Sequence, residues 1–134
     1  MSNENVILAV DLGTSGMKVA LITVHGKVLG WETEPVRLII TPDGGAEQSP
    51  EEWWQAFLSA AGRLLKRKLA PVGAIRAVCC STQGEGTIPV DHDGRALMNC
   101  ILWMDMRGAP YLREQFGGLL NMSGMSLARV IRWV

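Results

Sequence analysis

The chain lacks net charge: Lys plus Arg and Asp plus Glu each number 13. With no global field, recruitment of nucleic acid or of a membrane surface is not expected. Cysteine is sparse. Cys79, Cys80 and Cys100 are odd in number and form no CxxC pair, which argues against a disulfide framework and for a reducing, cytoplasmic compartment. The opening MSNENVILAVDLG has no basic region, and no apolar run is long enough to span a bilayer. Neither a signal peptide nor a membrane anchor is therefore expected. Two nucleotide-binding signatures are missing as well. GxGxxG does not occur, and GTSGMK is too short for a GxxxxGKS/T loop. There is no internal repeat, low-complexity tract or linker. What is left is 134 residues, the size of one domain and enough to bury a core.

The apolar pattern predicts how that core is built. Residues 6–10 are continuously apolar and read as a buried strand, followed by a second strand at 18–23. His25-Gly26 reads as a tight turn. Residues 27–40 read as a longer third strand interrupted at Pro35, completing an antiparallel meander. After the loop TPDGGAEQ comes a helix start: Ser49 caps, Pro50 suits the first turn and Glu52 completes a capping box. Trp54, Phe57, Leu58, Ala61 and Leu65 recur at helical spacing and are expected to face the core, with Trp53 and Trp54 as core and anchor residues. Residues 75–81 (IRAVCCS) read as a further buried strand, TIPV as another closed by the turn DHDG, and APYLREQF as a short helix stopped by Gly117-Gly118. The final SLARVIRWV carries an apolar stripe of Leu127, Val130, Ile131 and Val134 with no helix stop signal, so the chain is expected to be a piece of a longer protein. The two histidines, His25 and His92, fall in turns, and the basic run RLLKRKL suits the solvated end of a helix.

One stretch asks for chemistry. AVDLGTSGMKVALIT places a carboxylate, Asp11, where an apolar strand enters a turn of small residues. Strand, turn and strand put the backbone N–H groups of Gly13 to Gly16 at a hairpin tip. The glycines allow close approach and positive φ, Thr14 and Ser15 add hydroxyls, and Lys18 adds a point charge. That is a phosphate cradle of the nest type. Asp11 alone would repel phosphate. It makes sense if a divalent cation stands between them, since Mg²⁺ takes one or two carboxylates together with phosphate oxygens. The competing reading is an ordinary hairpin whose Asp helps the turn. DLGTS by itself does not separate the two.

Three further motifs follow in order: GGAEQSPEEWW, STQGEG and ILWMDMRG. Together with DLGTSGMK they resemble, over nearly the whole chain, the FGGY family of carbohydrate kinases and its xylulokinase-like members. That family belongs to the superfamily shared by actin, chaperone ATPases and sugar kinases. The resemblance implies an α/β, ribonuclease-H-like (actin-like ATPase) fold, present here in part, with residues 1–134 as the N-terminal part of the family's N-terminal domain. The sheet would be mixed, with three leading antiparallel strands, one crossing helix and IRAVCCS returning parallel to the first strand. Uncovered by later strands, its apolar face would favour association.

Residue by residue, the resemblance implies ATP and Mg²⁺ as cofactors. Asp11 matches the family aspartate associated with Mg²⁺. Gly13, Thr14, Ser15 and Lys18 match the first phosphate motif. Gln83, Gly84 and Glu85 fall in the turn that contacts substrate, where glycerol kinases place a hydroxyl-binding glutamate. Trp103 matches a tryptophan that packs on substrate carbons, and an indole suits the C–H face of a sugar. Asp105, in the same W-x-D-x-R segment, is a candidate substrate-binding residue as well, and with Arg107 it has the charges for a salt bridge that fixes the segment, the role the residue types favour. The implied partner is a small sugar or polyol, with homodimerisation open. Xylulokinases commonly carry Gln-Met-His-Gly where this chain has Gln83-Gly84-Glu85-Gly86, and glycerol kinases carry Arg where Gly84 stands, so the turn names no sugar. The family's catalytic aspartate, second phosphate motif and adenosine motif would lie beyond Val134, so this fragment alone is expected to be inactive. Two rivals remain. A chaperone- or actin-like ATPase also carries DLGT but lacks the WMDMR segment, and a sugar-binding module would bind without turnover.

Overall fold

The computed structural model describes residues 4–116 and two short strands, Asn121–Met122 and Met125–Ser126. Three strands lead: β1 (Val6–Gly13), β2 (Gly16–Thr23) and β3 (Val28–Pro35), each antiparallel to the one before. β1 and β2 run further toward their shared turn than the apolar pattern predicts, because ladder pairing continues through Asp11↔Lys18 to Gly13↔Gly16. The hairpin loop is therefore only Thr14 and Ser15. The long third strand expected at 27–40 is two elements. β3 ends at Pro35, which has no N–H for a ladder, and β4 (Ile39–Ile40) enters another sheet.

That second sheet has the order β4–β5–β7, with β5 (Ala46–Gln48) and β7 (Cys100–Ile101). The loop GGAEQ thus contains a strand that composition hides. TIPV is not a strand. Thr87 and Val90 make single bridges to Ile101 and Ala96, while Asp91–Gly94 forms the expected turn with Gly94 in the left-handed region (φ +78°).

α1 (Pro50–Lys66) begins as its cap predicts: Ser49 Oγ accepts from the Glu52 N–H at 3.3 Å. The Glu52 carboxylate, however, pairs with Arg37. The buried face of α1 is Ala56, Ala60, Ala61 and Leu64, with Trp53 and Phe57 partly buried. Trp54 and Leu58 are exposed instead, against expectation. Two apolar stripes lie side by side on this helix. The alanine stripe wins because small side chains let the helix approach β2 and β3 closely, where Val19, Leu21 and Leu64 are almost fully enclosed. Each such leucine contributes roughly 1.5–3 kcal/mol on burial. Across the outer edge of this contact, Arg63 and Arg67 pair with Glu32 and Glu34 on β3.

β6 (Ile75–Thr82) returns parallel to β1, giving the order β3–β2–β1–β6. Mixed and α/β, this is the expected class of fold. β6 is exposed from Arg76 onward, contrary to the buried strand read from IRAVCCS, because α1 lies over β2 and β3 rather than over it. The sheet face opposite α1 carries a row Trp31–Ala20–Ala9–Cys79, uncovered among the described residues. α2 (Ala109–Phe116) follows as predicted, and β8 (Asn121–Met122) pairs with β9 (Met125–Ser126). The Gly117-Gly118 stop and the apolar stripe from Leu127 to Val134 lie outside the described residues. No described helix is long and apolar enough to cross a membrane.

Candidate active site

Asp11 and Lys18 sit directly opposite each other across the β1–β2 ladder. Their side chains meet, Lys18 Nζ donating to Asp11 Oδ2 at 2.8 Å, with both about half exposed. Gly13 leaves the room for this pair: a Cβ there would stand 3.3 Å from Lys18 Nζ and 4.0 Å from Asp11 Oδ2. The space is a shallow cradle beside one carboxylate and one ammonium at a hairpin tip. Neither Gly13 nor Gly16 lies in the left-handed region, contrary to the expected positive φ. What Gly16 supplies is space, because a Cβ there would fall 2.6 Å from the Glu34 carbonyl oxygen. Among the described residues no group of three or more His, Cys, Asp or Glu side chains could hold a metal by itself. A single carboxylate beside a cradle fits Mg²⁺ carried in with phosphate oxygens, not a free-standing metal centre.

Thr14 turns inward from this tip. Its hydroxyl donates to Gln83 Oε1 at 3.0 Å, and the Gln83 backbone N–H donates to Leu12 O at 2.8 Å. The turn after β6 is thereby tied to the turn after β1. Glu85 lies exposed in that second turn at φ +59°. The left-handed residue is the glutamate itself, not Gly84 or Gly86. A bulky residue held there is strained, a feature that clusters at functional sites. Gly86 lets the turn close on β7, since a Cβ would come 2.9 Å from Cys100 Sγ. Thr87 and Ile101 then exchange both backbone hydrogen bonds, at 2.9 and 3.0 Å. That places the Glu85 turn beside the segment bearing Trp103, whose indole is 57% exposed and therefore not a core aromatic.

Asp105 has a different setting. Its side chain is 5% exposed and is gripped by the Arg107 guanidinium, by the Arg107 N–H and by the Ala46 N–H at 3.0 Å. Arg107 also donates to Glu47 Oε1 at 2.7 Å, and Asn99 donates to Glu47 Oε2 at 3.1 Å. Arg107, then the Ala46 N–H, hold the Asp105 carboxyl well below the usual carboxylate range. Asn99, then Arg107, lower that of Glu47. With both carboxylate oxygens hydrogen-bonded by the protein, Asp105 braces the segment that presents Trp103. Burial pushes the Cys100 thiol up, so it is a packing residue.

Two participants carried no role in the sequence reading. Gln48 is wholly buried and bonded to Thr14, Gln83 and Trp53. Glu47 is the second partner of Arg107. The adjacent polar pair just ahead of the helix cap is the signal that could have marked them. The open trough of about 660 Å³ on the uncovered sheet face reaches Asp11 and Lys18 but not Glu85 or Trp103. It is bare sheet surface rather than a substrate pocket.

The chain is similar in sequence and fold to several known proteins. The chain is 33% identical to the xylulose kinase of Bacillus subtilis (strain 168) over 83% of its own length and 23% of that protein's. It is 32% identical to the glycerol kinase of Nitrosomonas eutropha over 86% of its length and 24% of that protein's. The gluconate kinase from Lactobacillus acidophilus superposes with a TM-score of 0.74 at 26% identity, covering 83% of this chain and 22% of that one. The chain thus spans about a quarter of the length of the curated relatives it matches. Residues 6–116 match the family model described as the N-terminal domain of the FGGY family of carbohydrate kinases, and the chain belongs to that family.

Proposed function

We propose that this chain is the N-terminal part of an ATP-dependent carbohydrate kinase that phosphorylates a hydroxyl of a sugar or polyol. The observation that carries this reading is the Thr14–Gln83 hydrogen bond, which holds the phosphate-type turn and the hydroxyl-type turn against each other. Phosphoryl transfer needs little covalent help from protein. It needs donor and acceptor aligned and charge neutralised.

In this reading the Gly13–Ser15 turn and Lys18 take the terminal phosphates. Asp11 would hold the Mg²⁺ that accompanies them, and the neighbouring Lys18 would lend its ammonium to the phosphates. The metal would supply charge neutralisation on the transferring group. Gln83, Gly84 and Glu85 line the hydroxyl side, with Glu85 accepting from vicinal hydroxyls. Trp103 offers its exposed face to the carbohydrate C–H surface. Asp105 acts on substrate indirectly, by fixing the Trp103 segment through Arg107. The chain spans about a quarter of its curated relatives, and in this reading it is inactive by itself, the catalytic base and adenosine site being supplied by the rest of the full-length kinase.

The test is a coupled ADP-release screen of ketoses, aldoses and polyols, run on the full-length protein and on this chain. Sugar-dependent ADP release by the full-length protein alone is the expected result. Release that no sugar or polyol stimulates would overturn the reading in favour of a chaperone- or actin-like ATPase.

A further inference from the structure

Gln48 stands at a crossing that the kinase reading does not by itself require. Its Nε2 donates to the Thr14 carbonyl at 2.8 Å, and its Oε1 accepts from Gln83 Nε2 at 2.8 Å. The Thr14 hydroxyl donates back to Gln83 Oε1 at 3.0 Å. Three residues from three segments thus close a ring of hydrogen bonds, donor to acceptor all the way round. Trp53 Nε1 adds a fourth bond to Gln48 Oε1 at 3.2 Å, anchoring the ring to α1. On its backbone side Gln48 pairs with Cys100 in β7, three residues before Trp103. Gln48 has no exposed surface.

The directionality fixes the geometry. Flipping the Gln48 amide would set N–H against N–H at Gln83 and oxygen against oxygen at Thr14. A fully satisfied ring closed through the wholly buried Gln48 admits one arrangement, and a partly satisfied one is costly. The ring therefore sets the separation of the two turns with little play. A surface tether of long charged side chains would not.

We propose that Gln48 is a positioning residue that holds the phosphate-side turn and the hydroxyl-side turn in register for in-line transfer. The proposal rests on the kinase reading above. Positioning dominates phosphoryl transfer, and a misplacement of about 1 Å costs on the order of a hundredfold in rate.

The test uses Gln48→Met in the full-length protein, which keeps side-chain length and removes the amide. The expected result is a kcat lower by at least about tenfold, with KM for sugar and for ATP within about threefold of wild type. Gln83→Met opens the same ring from its other side and carries the test through kcat if Gln48→Met fails to fold; because Gln83 also lines the hydroxyl side in the kinase reading, its sugar KM is not a criterion. Combining the two should cost no more than the worse single variant, since one ring breaks only once. A folded Gln48→Met with a lower midpoint but wild-type kcat makes the residue merely structural and overturns the proposal, as do additive losses in the double variant. If the wild-type protein transfers phosphate to no sugar or polyol, the kinase reading fails separately. Amide exchange then decides the coupling in the same protein: Gln48→Met speeding residues 14–16 and 83–86 together supports it, and speeding at one turn alone overturns it.

Discussion

Gly16→Ala separates a glycine needed for space from glycines that are not. The new methyl would lie 2.6 Å from the Glu34 carbonyl oxygen and 3.3 Å from Pro35 Cα. An ordinary carbon–oxygen contact needs about 3.3 Å. The obstacle is backbone, and the Gly16↔Pro35 pair is held in place by the β2–β3 ladder. The strands must part by several tenths of an ångström at the end nearest the phosphate turn. Overpacking of this kind costs roughly 1–3 kcal/mol, against about 0.4–1 kcal/mol returned by stiffening the unfolded chain. The middle of the two ranges leaves a net loss of about 1.3 kcal/mol, which for a chain of 134 residues lowers the thermal midpoint by roughly 3–8 °C. Gly84→Ala is the control, because its Cβ would meet nothing within 4 Å. Thermal denaturation of both variants beside wild type is the assay. A Gly16→Ala midpoint within 1 °C of wild type, or one no lower than that of Gly84→Ala, would refute the steric reasoning.

On the proposed kinase reading, Asp11→Ala in the full-length protein should abolish turnover while leaving the midpoint nearly unchanged, because the side chain is half exposed and its partner among the described residues is the exposed Lys18; wild-type turnover or a collapsed midpoint would count against the proposed role at the metal. Glu85→Ala should lower kcat/KM for the sugar by on the order of tenfold to a hundredfold, the effect of losing a charged hydrogen-bond partner worth about 1.5–3 kcal/mol, with KM for ATP little changed; unchanged sugar kinetics would leave Glu85 a turn residue. Asp105 should shape the acid limb of stability. Arg107 depresses its carboxyl in the folded state, so its contribution is complete above the unfolded value near pH 4 and fades as pH falls toward the depressed folded value. Denaturation of wild type and Asp105→Asn between pH 2 and 7 checks this: the variant should be less stable at pH 7, and the gap should narrow in acid.

The linear pattern determined the elements whose signals are local. The apolar run at 6–10, the meander behind it, the Ser49-Pro50 helix start and the DHDG turn each rest on neighbours a few residues apart. The ordered motifs identified the family for the same reason, since every one is a short contiguous string. Asp11, Thr14, Lys18, Glu85 and Trp103 were legible as chemistry that apolar packing does not require. Only the tertiary structure decided which stripe of α1 faces inward. Trp54 and Leu58 are as apolar as any core residue, but the sheet accepts the closer approach that alanine permits. It also decided that β6 stays exposed, because coverage depends on where the helix lands and not on the strand's own composition. The left-handed conformation belongs to Glu85 rather than to its glycines, two residues ahead of the bridge between Thr87 and Ile101. The Gln48 ring joins residues 34 and 35 positions apart, and Thr14 to Gln83 spans 69. Hydrogen bonds at such separations leave no periodicity in a sequence, so nothing short of the fold could set those three side chains side by side.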